Sequence, residues 1–213
     1  LHPANDIAFR PFWEAFGLSW DPDNLADLPP LGAQLLMVAR MIKARVDLDM
    51  QRQLFFVGRG GFDTHDNQMP DHAELMAELG QAIKGFYDVI GGPAFNLANQ
   101  VTAFTASEFG RTLSNNGDGT DHGWGGHHLV FGGAVNGNRL YGRMPSLAAT
   151  NNPDDAGWGQ IIPTLSVDQY AATLASWYGL SAADRDVIFP NLQYMTGPML
   201  AIEGPDLGFM QAV

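Results

Sequence analysis

The chain has 213 residues, 46% of them hydrophobic and 16% charged. That is enough for one domain with a substantial core or two small ones, and it excludes a wholly disordered chain. Its 23 acidic residues against 11 basic ones give a net charge of −12, which argues against binding to nucleic acids or anionic membranes, since both need a Lys/Arg excess. There is no cysteine, so disulfides and thiolate metal sites are excluded, and no apolar run approaches a membrane span.

Residues 1–30, rich in Pro, Asp and Trp, read as a surface segment with one short helix near Phe12–Phe16, closed by Pro29-Pro30. Leu31, Leu35, Val38, Met41, Ile42 and Val46 then recur at helical spacing. Gln53-Leu54-Phe55-Phe56-Val57 is a short continuous apolar run, the pattern of a strand buried on both faces. A second helix is expected from about Asp71, where Asp71 and Glu74 have capping-box spacing, through Leu75, Leu79, Ile83, Phe86 and Ile90 to Gly91-Gly92.

Val101–Thr105 is the next expected strand, followed by Ser107–Thr112, a segment that opens a helix if Glu108 and Arg111 pair on its surface. His128–Phe131 reads as a strand, and Asn136-Gly137 is a hairpin-turn signal with Arg139–Tyr141 as its second arm. Residues 144–163 form a long ordered loop. A helix follows from Ser166, which makes a capping box with Gln169, to Gly179, and Ser181–Val187 adds a short one. The order of elements suggests a layered α/β domain over 31–192, with 193–213 as a C-terminal tail.

The chemistry concentrates in three loops. Gly119-Thr120-Asp121-His122-Gly123-Trp124-Gly125-Gly126-His127-His128 carries three histidines and a carboxylate between glycines. Imidazole and carboxylate together are the ligand set of zinc, manganese or iron, and glycines let the backbone turn tightly enough to aim them at one spot. Asp63 and His65 follow one expected strand, and Glu108 and Arg111 follow another. In an open α/β sheet such loops gather at one edge, where ligands bind.

Each residue also has a plainer reading. Asp63 caps a turn and His65 is solvated, and the histidine loop is a polar turn before a strand. Of His127 and His128, only one faces the site if both enter a strand. Glu108 either pairs with Arg111 or orients a ligand histidine, and Arg111 alternatively holds an anionic group through two parallel hydrogen bonds. Trp124 either walls the pocket or packs. A Ser-His-Asp hydrolase ranks low because no Gly-x-Ser-x-Gly elbow is present.

Gly60–Gln68, Ser107–Thr112 and Gly119–Gly123, with Gly132–Gly137, Val167–Leu174 and Phe189-Pro190-Asn191, resemble an exported bacterial family known as domain of unknown function 1501. The resemblance runs in order from about residue 31 to 192. It implies the alkaline phosphatase and sulfatase superfamily and the C-terminal portion of its three-layer α/β/α sandwich. It also implies metal-dependent hydrolysis of phosphate or sulfate esters and a periplasmic or extracytoplasmic protein exported by the twin-arginine route.

Thr120-Asp121-His122-Gly123 resembles that superfamily's Thr-x-Asp-His-Gly motif, one residue shorter. The resemblance makes Asp121 and His122 ligands of one metal, and Asp63, His65 and one of His127 or His128 ligands of another. Zinc or manganese is the expected ion, with calcium as the alternative. Arg111 and Glu108 are the expected catalytic side chains, and a small anionic ester is the expected substrate. Asp63 and His65 are two apart where the superfamily spaces them four apart, and no early strand supplies a Ser or Thr nucleophile. The pattern therefore also fits a non-catalytic binding or scaffold protein with a degenerate site, and, more weakly, a phosphate-ester mutase.

Overall fold

The computed structural model describes residues 7–198 and 200–211. It is a mixed α/β chain with small antiparallel sheets, and it divides into two compact units, Leu1–Val101 and Thr102–Val213.

The first unit is helical. Helix α1 (Arg10–Ala15) and helix α2 (Pro30–Lys43) each pack on helix α3 (Gln68–Gly91). The apolar spacing explains the contacts: α2 buries Leu31, Leu35, Leu36, Ala39 and Ile42, and α3 buries Leu75, Ala82, Phe86, Val89 and Ile90. Phe12 and Trp13, from the Pro- and Trp-rich N-terminal stretch, have 0% exposure. Gly85 makes their approach possible, because a Cβ there would lie 3.1 Å from the Phe12 Cα.

The start of α2 is closed from outside the helix. Glu78 of α3 accepts the Leu31 N–H (3.1 Å) and pairs with Arg59 (2.7 Å). Gln34 exchanges two hydrogen bonds with the Gly58 backbone. Helix α3 begins earlier than Asp71, with Asn67 in the left-handed region at φ 46. Asp71 lies inside the first turn, where its carboxylate accepts the Asn67 amide (2.7 Å) and favours the helix dipole.

The apolar run at 53–57 is not a strand. Leu54 is 80% and Phe56 94% exposed, and among the described residues Leu54–Val57 make no backbone hydrogen bond. A continuous apolar run becomes a buried strand only when other strands flank it, and none pairs with it here.

The second unit holds two antiparallel pairs. Strand β1 (Thr102–Phe104) pairs with β4 (Val130–Gly132), and β2 (Gly110–Asn115) with β3 (Thr120–Gly123). Of the two readings of Ser107–Thr112, the one in which it opens a helix does not hold, since β2 begins at Gly110. Its Arg111 stands across from His122 of β3, and that cross-strand pairing outweighs any i,i+3 contact with Glu108. Among the described residues the strands form two separate two-stranded antiparallel sheets.

The expected hairpin at Asn136-Gly137 is also replaced. Val135 bridges to Met210, and the Asn136 N–H donates to the Phe209 carbonyl (2.8 Å). Helix α4 (Val167–Tyr178) starts at the expected Ser166/Gln169 capping box and stops at Gly179, φ 107. Gln169, fully buried, donates to the carbonyls of Ile202 and Gly204, and the Thr173 hydroxyl accepts the Leu207 N–H. These bonds seat the C-terminal segment over a core of Leu174, Leu207 and Phe209. Helix α5 (Ala182–Ile188) follows.

Candidate metal centre

The loop 60–67 leads from the Arg59–Glu78 ion pair into α3, and it presents Asp63 and His65 on either side of a buried Thr64. The Asp63 Oδ1 and His65 Nε2 atoms lie 3.0 Å apart. Two atoms bound to one ion at about 2.1 Å are themselves roughly 3.0–3.4 Å apart, so the pair already has ligand-to-ligand spacing.

His122 lies on β3, where its ring stacks on Phe109 with centroids 3.9 Å apart and planes 7° from parallel. Phe109 just precedes β2, whose Gly110 pairs with Gly123, so the ladder register sets this stack. Asp63 and His65 of the first unit are both exposed and each offers one ligand atom, and His122, exposed on β3 of the second unit, offers an imidazole. Carboxylate and imidazole are donors that suit zinc and manganese.

The other expected ligands have different surroundings. Asp121 is next to His122 on a strand, so the two side chains point to opposite faces. Its carboxylate accepts the Asn116 amide (2.9 Å) within the β2–β3 hairpin. The His127 Nε2 lies 3.3 Å from the Met144 sulfur. His128 stacks on Tyr170 and lies 3.4 Å from the Thr105 hydroxyl. Burial holds the His128 imidazole below its usual pKa, and His127 beside it adds to the effect.

Arg111 donates to the Thr120 carbonyl (2.8 Å), and its guanidinium lies 5.1 Å from the Phe109 ring centroid. Phe109 thus has His122 stacked on it and Arg111 close by. Glu108 is exposed, one residue before it. The role of Phe109 was legible only as part of a motif, because the register that brings it to His122 has no signal in a single strand.

A family model described as "Protein of unknown function (DUF1501)" matches residues 13–166. No curated protein and no solved structure matches the chain.

Proposed function

The chain belongs to the DUF1501 family of proteins of unknown function, and we propose that it is a metal-dependent hydrolase of phosphate or sulfate esters. The observation that carries this reading is the Asp63–His65 pair at ligand spacing. A cation held there supplies charge neutralisation for a transferred phosphoryl or sulfuryl group, which an acidic protein of net charge −12 would otherwise repel.

Within this proposal Arg111, across from His122, holds the ester oxygens, and Glu108 orients an imidazole. No residue of this chain is assigned as nucleophile. The resemblance to the alkaline phosphatase-like sandwich, and with it an extracytoplasmic home, is part of the same proposal.

A second reading, a non-catalytic binding protein on a degenerate site, is favoured by the other partners of the expected ligands: Asn116 for Asp121, Met144 for His127 and Tyr170 for His128. Elemental analysis of native protein and turnover of nitrophenyl phosphate and nitrophenyl sulfate test both. The hydrolase binds about one zinc or manganese at this pair, and Asp63→Ala or His65→Ala weakens that binding by about 100-fold or more, with matching loss of turnover. Bound metal without turnover leaves the second reading. Protein that takes up neither ion sinks the metal site itself.

A further inference from the structure

Trp158 is 90% exposed and has a left-handed backbone, φ 62, between Gly157 (φ 121) and Gly159 (φ 78). A bulky side chain at positive φ is strained, and so large an apolar ring gains nothing by standing in water. The loop nevertheless builds this arrangement with care. The Asp155 carboxylate accepts the N–H groups of Gly157 (2.8 Å) and Gly159 (3.2 Å), and Ala156 and Gln160 bond across the turn (2.9 Å). The Gly159 carbonyl accepts the Leu113 N–H of β2 (2.9 Å), and a Cβ on Gly159 would lie 2.7 Å from the Ser114 nitrogen. Below the loop, Arg143 grips Asp154 with two hydrogen bonds. Trp158 is thus held out on a fixed base.

From this the geometry points to a carbohydrate-binding site, with the Trp158 indole as the stacking platform for the apolar face of a pyranose ring. A protein-docking surface gathers several apolar side chains around such an anchor. Here residues 151–160 carry no large apolar side chain besides Trp158: Asn151, Asn152, Asp155 and Gln160 supply hydrogen-bonding groups, with only Pro153 and Ala156 as small apolar residues between them. A sugar ring has that same division, a face of C–H bonds with a rim of hydroxyls. The Ser114 hydroxyl lies alongside Gly159 and makes no hydrogen bond among the described residues, so it is placed to take one from the sugar. A rigid indole also loses little conformational entropy on contact. The site lies wholly within the second unit and goes beyond the metal reading, needing no ion.

The test is titration of the isotope-labelled full chain, in the presence of EDTA, with cellohexaose, laminarihexaose and mannohexaose. The Trp158 indole N–H resonance, assigned by its absence in Trp158→Phe, shifts saturably with at least one of them. Trp158→Ala weakens that binding by about tenfold or more, Trp158→Phe by less, and Ser114→Ala by about two- to fivefold. Trp158→Gly, which relieves the positive φ, keeps the rest of the spectrum and loses the binding. Absence of a saturable shift with all three sugars overturns the proposal, as does equal affinity in Trp158→Ala. A Trp158 shift with phosphatidylcholine vesicles, or with protein concentration alone, in place of the sugars overturns it in favour of a lipid surface or a second copy of the chain.

Discussion

Residues 51–66 of the first unit and 143–162 of the second both lack regular structure over most of their length, yet they are held in opposite ways. The first carries the short apolar run Leu54–Val57 and is fixed to its own unit by Gln34 at Gly58 and by Glu78 at Arg59. Leu54 and Phe56, upstream of those anchors, stand in solvent. The second is cross-linked from within by the side chains of Arg143, Ser146, Asn152, Asp154 and Asp155. An irregular segment is ordered by where its backbone hydrogen bonds go, not by how hydrophobic it is.

The largest expected effect comes from unlatching the second segment. Asp154, 5% exposed, receives both Arg143 nitrogens and the Ser146 N–H. Asp154→Ala leaves all three donors without their acceptor, so its fall in melting temperature should exceed those of Glu78→Ala and Phe56→Lys. Protease cleavage within 143–162 should rise by about tenfold or more. If cleavage there is unchanged while the melting temperature falls, the latch serves the unit and not the loop.

Acid should act on the same latch. The Arg143 guanidinium, followed by the Ser146 N–H, holds the Asp154 carboxyl down from 3.8 to about 2. A depressed carboxyl contributes its stability in full above the ordinary value and loses it as pH falls through the folded one. Pepsin should therefore leave 143–162 intact at pH 4 and cut it increasingly as pH approaches 2, whereas Asp154→Ala should be cut at both. An equal pH dependence in the two proteins would remove Asp154 from the explanation.

The first segment should respond less. Glu78 closes the start of α2 through Leu31 and holds Arg59, so Glu78→Ala should cost about 1–2 kcal/mol in denaturant unfolding. It should also weaken metal binding several-fold, because Arg59 anchors the start of the loop that carries Asp63 and His65. Glu78→Gln, which keeps the acceptor for Leu31, should recover the stability but not the metal affinity. Equal recovery of both would mean that Arg59 does not position the ligand loop.

Helical packing was the legible part of the sequence. The spacing in α2 and α3 and the Ser166/Gln169 capping box of α4 are local signals, and each locates a helix to within a few residues. The strands were less legible because strand identity depends on a partner. Ser107–Thr112 offered Glu108 and Arg111 at helical spacing, yet β3 made it a strand. Of the expected ligands, Asp63 and His65 meet at ligand spacing, and Asp121 is set apart from His122 by strand alternation. Trp158 could not be singled out at all, since only the fold shows that a loop tryptophan is held outward at positive φ.

The smallest expected effect is the sharpest test of the contrast between the two segments. If Gly58 and Arg59 carry the order of residues 51–66, then the apolar side chains upstream of them carry almost none. Phe56 is 94% exposed, and its backbone makes no hydrogen bond among the described residues. Phe56→Lys should therefore change unfolding free energy by less than about 0.5 kcal/mol, the range of surface substitutions that touch nothing. The same change should reduce concentration-dependent aggregation, because an unpaired apolar run is a template for strand addition and lysine opposes it. A loss of stability comparable to that of Glu78→Ala would show that Phe56 is buried in the folded protein in solution, and the segment would then be held by packing after all.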